Sequence, residues 1–242
     1  MLDQVKLDKI LFLDIETVPE VKDFDELSAT MQEMWTTKAA QRYPNEERSP
    51  SDLYRHAAIF AEFGRIICIS CGFFNGNSES LSFRIKSFYG HDEKKLLSEF
   101  ATLLNASFGG QDNRLCAHNG KEFDYPFMAR RMLIRGVKLP QILNTPGKKP
   151  WEVNHLDTLE LWKFGDYKNY TSLKLLTSIF DIPTPKDDID GSMIRDVYYE
   201  EENLKRIVTY CQKDVLAVAR LFQKFRGEEI VKDDQLIFSD HE

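Results

Sequence analysis

The sequence has no long hydrophobic run. Its longest nearly unbroken apolar stretch is IICISCGFF at residues 66–74, which is less than half of the roughly 20 residues that a membrane-spanning helix needs. The opening residues, MLDQVKLDKI, contain no apolar core of a secretory signal peptide. We therefore expect a protein that is neither membrane-embedded nor secreted, and we predict a cytoplasmic location.

Cysteine is scarce as well. The four cysteines, Cys68, Cys71, Cys116 and Cys211, lie in otherwise apolar stretches of a 242-residue chain. Disulfide frameworks are typical of short, loop-rich secreted chains, so buried free thiols are the expectation here. Cys68 and Cys71 form a C-x-x-C, but no second cysteine pair accompanies it, which argues against a zinc or redox site.

Positive charge is in deficit, since the formal net charge is −7. This balance argues against a protein that coats DNA nonspecifically, because such binding needs a large basic surface. It does not exclude a nucleic-acid enzyme, because bound cations would neutralise a cluster of carboxylates. Local basic groups such as Arg130, Arg131, Arg135, Lys148 and Lys149 could still face a nucleic-acid backbone.

The periodicity of the chain predicts an α/β domain. After the first strand, residues 22–62 form a long polar segment that we interpret as a helical insertion in a single domain spanning residues 1–242. Strands followed by alternating strands and helices predict a mixed β-sheet flanked by α-helices. The strands are predicted at about 9–15, 65–74, 81–88 and 114–118 and at the start of 153–161, and the main helices at about 92–106, 124–135 and 201–225.

The first strand carries two acidic residues where a buried strand is normally apolar. In FLDIETVPE, residues 12–20, Asp14 and Glu16 point to the same face, about 6.6 Å apart along the strand, while Leu13 and Ile15 point to the other. Two unpaired buried carboxylates would cost several kcal/mol or take up protons. A shared cation avoids this cost, and we take it as the hypothesis.

Two further motifs contain acidic residues. NGKEFDYPF, residues 119–127, contains Asp124, which is also typical of a helix cap with Pro126 in the first turn. In YCQKD, Tyr210 and Asp214 are four residues apart and share one helix face. They lie along the edge of an apolar stripe, so we expect Asp214 to be half-buried.

In this order, DIET, NGKEFD and YCQKD resemble the three exonuclease motifs of the DEDD superfamily, in the form found in the proofreading 3′–5′ exonuclease domains of family B DNA polymerases. The run SLKLLTSIFDIPTPKDDIDGSMIRDVYYEE is similar to stand-alone exonucleases of the family B polymerase type. The motifs span residues 12–214, so no polymerase domain is expected beside them. The resemblance implies a ribonuclease H-like fold.

The resemblance also implies a metal site. Asp14, Glu16, Asp124 and Asp214 would be the carboxylates that hold two divalent ions, Mg²⁺ or Mn²⁺, and Tyr210 would position the attacking water. Two-metal hydrolysis of a phosphodiester calls for such hard oxygen ligands. Another branch of the superfamily has a histidine five residues before the last aspartate, but the residue at that position here is threonine, which indicates the tyrosine branch.

By the same resemblance, three residues contact the substrate. Asn119 and Phe123 would touch the terminal nucleotides, and Thr17 the terminal sugar; core packing is the alternative for Phe123. His155 and Asp157 alternate on a strand and could form an outer layer of the metal site, but such pairs are more often sheet-end interactions. We leave both outside the site.

The leading functional hypothesis is a metal-dependent 3′–5′ exonuclease that releases mononucleotides from single-stranded DNA. One alternative keeps the mechanism but takes RNA, because no motif visibly tests for a 2′-hydroxyl. Another is a noncatalytic module that binds nucleic acid or a partner, although the complete carboxylate set argues against it. A separate polymerase or repair proteins are candidate partners.

Overall fold

The computed structural model of the protein describes residues 2–76, 80–166, 168, 170–183 and 189–239. Within these residues, six strands form one sheet: β1 (Ile10–Pro19), β2 (Gly64–Asn75), β3 (Ser82–Tyr89), β4 (Arg114–Ala117), β5 (Leu156–Asp157) and β6 (Leu236–Phe238). Their order is β5-β4-β1-β2-β3-β6. The pairs β1–β2 and β2–β3 are antiparallel, whereas β1–β4, β4–β5 and β3–β6 are parallel. The predicted mixed sheet is confirmed.

Helices cover both faces of the sheet. They are α1 (Ala29–Arg42), α2 (Pro50–Leu53), α3 (Glu93–Ser107), α4 (Asp124–Ile134), α5 (Thr158–Lys163), α6 (Leu173–Ile179), α7 (Ile194–Tyr199) and α8 (Leu204–Phe225). The α3 and α4 helices pack on one face, and α7 and α8 on the other. In the part of the chain described, no helix combines the length and the apolarity that crossing a membrane requires.

The central strand β1 is buried on both faces. Leu11, Leu13 and Ile15 pack into the core beneath α3 and α4. On the other face, Phe12 packs with α8, and Val18 packs with α7 and the first turns of α8. Asp14 and Glu16 occupy this second face between the two apolar groups, since side chains alternate along a strand.

The segment after β1 folds into helices with an apolar cluster of its own. Trp35 of α1 is fully buried, and its indole Nε1 donates a hydrogen bond to the carbonyl of Pro50 at 2.7 Å. The buried residues around it are Leu27, Ala39, Leu53, Tyr54, Ala57 and Phe63. The helical character expected for residues 22–62 is therefore present. That this segment is an insertion in a single domain stays a prediction.

A buried ion network joins α4 to the end of β1. Arg131 of α4 is 1% exposed and binds Glu93 at 2.6 Å and Glu20 at 2.7 Å. Arg135 contacts the same two acids. Burial alone would raise the pKa of Glu93, but hydrogen bonds and charge from Arg131 outweigh burial and hold this pKa below its usual value. The expectation that Arg131 faces a nucleic-acid backbone is wrong, because Glu20 and Glu93 bind its buried guanidinium group. For Arg135, whose side chain is 30% exposed, it stays a prediction.

Candidate active site

The first two acidic residues lie between β1 and α8. Asp14 is half-buried and Glu16 is buried. Burial raises the pKa of Asp14 well above its usual value, and the charges of Asp214 and Asp124 raise it further. Burial and then the charges of Asp14 and Asp214 raise the pKa of Glu16 in the same way. The negative charges of neighbouring acids therefore disfavour ionisation of both carboxylates.

Asp124 lies in the first turn of α4, and its charge acts on Asp14. Phe123 occupies the cap position of this helix, so Asp124 is not its N-cap. Burial raises the pKa of Asp124 to about 7, helped by the charges of Asp157 and Asp214 and opposed by hydrogen bonds from its own N–H and that of Ile15. The pairing of β1 with β4 ends at Phe12. Beyond that point, the hydrogen bond from the Ile15 N–H to Asp124 connects β1 to α4. The aspartate therefore bridges two elements.

The α8 helix brings Tyr210 and Asp214 to the site. Both are half-buried, as the helical periodicity predicts for Asp214. Burial raises the pKa of Tyr210, and the charges of Asp214, Glu16 and Asp14 raise it further, as does the hydrogen bond that its hydroxyl donates to Asp214. The structure thus brings the four predicted carboxylates and the tyrosine within electrostatic reach of one another. Their roles stay predictions.

Cys211 lies beside Asp14, a contact that the sequence analysis missed. Its thiol donates to Asp14 Oδ2 at 3.4 Å and lies 3.4 Å from the Asp14 carbonyl. The ligand atoms of Asp14, Glu16 and Cys211 all lie within 4.8 Å of one another. The helical periodicity could have predicted this contact, because Cys211 lies on the sheet-facing apolar stripe of α8, next to Tyr210. All four cysteines are buried free thiols, as expected.

The C-x-x-C pair does not form a site. Cys68 packs in the cluster beneath α7 and α8, whereas Cys71 packs in the cluster beneath α3 and α4. Residues three apart in a strand point to opposite faces. The two thiols therefore cannot share a metal ion or form a disulfide, which agrees with the low weight given to this motif.

The loop after β4 holds two of the predicted substrate-binding residues. Asn119 has a left-handed backbone with φ of 63°, and its carbonyl accepts a hydrogen bond from the N–H of Phe123 at 3.0 Å. A Cβ at Gly120 would lie 2.5 Å from the Cβ of Ala117, so the motif needs glycine there. Phe123 is half-buried, with its ring 5.3 Å from that of Phe127. It thus combines core packing with an exposed part.

Thr17 directly follows the two carboxylates of β1. It is half-buried, and the pairing of β1 with β2 shifts register between Glu16 and Thr17. A bulge of this kind re-aims side chains next to it. Contacts of Thr17, Asn119 and Phe123 with a substrate stay predictions.

Asp157 holds the loop that leads to Asp124. Its carboxylate accepts hydrogen bonds from the backbone N–H groups of Asn119 at 2.9 Å and Lys121 at 3.0 Å. It also caps α5, through the N–H of Leu159 at 2.9 Å and that of Glu160 at 3.3 Å. The sequence signal for this cap is an aspartate between a short strand and a helix. Asp157 therefore orders the site without belonging to the carboxylate cluster.

His155 is a sheet-end residue, the more frequent of the two roles considered for it. Burial lowers its pKa to about 4. The neutral ring donates from Nε2 to the carbonyl of Ile142 at 2.9 Å, and Nδ1 accepts from the N–H of Leu115 at 3.3 Å. Both nitrogens are thus used near the start of β4, away from the acids.

A comparison with protein families matches residues 59–231, more than half of the chain, to predicted 3′–5′ exonucleases related to the exonuclease domain of PolB. The match includes the NGKEFD and YCQKD motifs, and it begins after β1. The six-stranded mixed sheet flanked by helices is the ribonuclease H-like fold of such exonucleases. The chain therefore belongs to the family of predicted 3′–5′ exonucleases related to the exonuclease domain of PolB.

Proposed function

We propose that this protein is a divalent-metal-dependent 3′–5′ exonuclease that removes nucleotides from the 3′ end of single-stranded DNA. The observation that carries the proposal is the convergence of Asp14, Glu16, Asp124 and Asp214 from β1, α4 and α8. Membership of a predicted exonuclease family supports it independently. A separate polymerase or a repair protein is the partner that we propose for this activity.

The donor set fits two hard divalent cations such as Mg²⁺ or Mn²⁺. Carboxylate oxygens are the ligands that these ions prefer. Burial and then the charges of neighbouring acids raise the pKa values of Asp14 and Glu16, and bound cations would offset this repulsion. When bound, such ions lower the pKa of a water nucleophile and neutralise charge on the leaving oxygen.

The protein's own residues would orient the reactants. The Tyr210 hydroxyl, now donating to Asp214, can hold the attacking water against the phosphorus. Asn119 and Phe123 lie on the loop that ends at Asp124, and Thr17 follows Glu16, so all three border the carboxylates. They would hold the last nucleotides of the strand through polar contacts and stacking.

Stepwise shortening of a strand from its 3′ end tests this function. We expect the protein to shorten a 5′-labelled DNA oligonucleotide one nucleotide at a time with Mg²⁺ or Mn²⁺, and not with excess chelator. A 3′-blocked oligonucleotide is the control for direction. Faster shortening of matched RNA would change the substrate to RNA, and the absence of shortening on both would contradict the exonuclease proposal.

The thiol of Cys211 offers a further test of the metal site. We expect Cys211→Ala to raise the metal concentration for half-maximal binding about tenfold, because groups that orient a metal ligand contribute ~10- to 100-fold. Cys211→Ser keeps a hydrogen-bond donor and should lose less. Calorimetric titration with Mn²⁺ measures the effect. Cys71→Ala, at a buried cysteine on the other face of β2, is the control, and equal affinities for Cys211→Ala and wild type would contradict this role.

A further inference from the structure

An exposed tyrosine lies beside the loop that carries the NGKEFD motif. Tyr170 is 68% exposed, and its ring packs against His118 with the centroids 6.4 Å apart. His118 directly precedes Asn119 in the chain. Tyr170 and Asp124 each lie within electrostatic reach of Asp157, whose carboxylate binds the N–H of Asn119 in this loop. Tyr170 therefore borders the candidate active site.

The ring beneath Tyr170 is held in one orientation. Nε2 of His118 donates to the carbonyl of Thr171 at 2.9 Å, and Nδ1 lies 2.9 Å from the hydroxyl of Thr158. Burial lowers the pKa of His118, so the ring is neutral at neutral pH. The bond to Thr171 also fixes the residue next to Tyr170. Tyr170 thus packs on a histidine ring that is fixed by hydrogen bonds. This order lowers the entropy lost when a ligand stacks on the tyrosine.

We propose that Tyr170 is a stacking subsite for a nucleobase of the single strand, upstream of the phosphodiester bond that is cleaved. An exposed ring beside the loop of Asn119, and not at the carboxylates themselves, suits the flat base of a nucleotide whose chain continues to the carboxylates. Stacking accepts any base, because every base has a π-face. The subsite would contribute affinity and positioning without sequence preference. This inference rests on the proposed exonuclease function.

The first test compares two exposed aromatic residues. Base stacking is worth ~5- to 150-fold in affinity, so Tyr170→Ala should raise the half-saturating enzyme concentration in single-turnover cleavage by that factor. The plateau rate should change little, and Tyr170→Phe should behave as wild type. Trp151→Ala is the matched control: Trp151 is 75% exposed but precedes β5, whereas the site lies beyond the ends of β4 and β5.

The second test locates the base. Oligonucleotides with one abasic residue at successive positions from the 3′ end should show one upstream position where wild type loses affinity and Tyr170→Ala loses no more. Such nonadditivity identifies a direct contact. Additive losses at every position, or a Tyr170→Ala variant that saturates like wild type, would overturn the subsite and leave the exonuclease function standing. A wild-type protein inactive on every nucleic acid would instead overturn the function itself.

Discussion

Asp14→Asn is expected to abolish nuclease activity, with a loss greater than about a thousandfold. Removing a group that only orients a metal ligand lowers metal affinity or activity ~10- to 100-fold. Asp14 is proposed to hold the metal ions directly, so the loss of activity should be larger. The metal-free variant should be as stable as wild type or more stable, because one of several mutually repelling carboxylates is gone. Activity and metal-free stability should thus change in opposite directions.

The raised pKa values also give this expectation a pH dependence. Folding raises the pKa of Asp14 and Glu16, so the folded state binds more protons than the unfolded state. Metal-free stability should therefore fall as the pH rises from the usual carboxyl range towards neutrality. Asp14→Asn should flatten this slope.

Thermal unfolding in chelator at several pH values, together with cleavage assays, measures both effects. Asp112→Asn, at an exposed aspartate before β4, is the control and should change neither. A marked loss of metal-free stability in Asp14→Asn would show instead that Asp14 is a structural residue.

Tyr210→Phe is expected to slow hydrolysis about ten- to a thousandfold with little change in substrate affinity. The hydroxyl is proposed to orient the attacking water, a contribution made mainly in the transition state. Phenylalanine keeps the ring and its packing beside α7 and the first turns of α8. Because all four carboxylates remain, some activity should survive, unlike in Asp14→Asn.

Single-turnover cleavage at saturating metal separates the rate from the affinity for Tyr210→Phe. Thr209→Ala is a matched control, since Thr209 is exposed and its hydroxyl donates to the carbonyl of Lys205 one turn earlier in α8. A Tyr210→Phe rate equal to that of wild type would mean that Tyr210 only packs along the helix, and the assignment to the tyrosine branch would then be withdrawn.

Local patterns in the sequence predict much of this fold. The alternation of Leu13, Asp14, Ile15 and Glu16 is sufficient to place the two carboxylates on one face of a buried strand. The end of that strand was harder to predict. β1 continues to Pro19 instead of stopping near residue 15, because its pairing with β2 carries on through the register shift after Glu16. The hydrophobic periodicity does not predict this continuation, because Glu16 and Thr17 are polar.

Contacts between distant parts of the chain could not be predicted. Asp157 binds the backbone of a loop 36 to 38 residues earlier, and nothing in its neighbourhood shows which N–H groups it will meet. Arg131 likewise appeared to be a free cation, because its partner Glu93 is 38 residues away and on another helix. Spacing shows which face a side chain occupies, but the packing of helices decides its partner.

The buried ion network around Arg131 has a consequence for local unfolding. Besides Glu20 and Glu93, Arg131 donates to the carbonyl of Ala61 at 2.9 Å, and Glu93 accepts from the N–H of Ile66 at 2.8 Å. One cluster thus ties α4 to the end of β1, to the start of β2 and to α3. If α4 opened alone, Arg131 would leave and the buried carboxylate of Glu93 would lose its partner, which is costly. The two elements that carry Asp124 and Asp14 should therefore open together as one cooperative unit, with slow amide exchange even before any ion is bound.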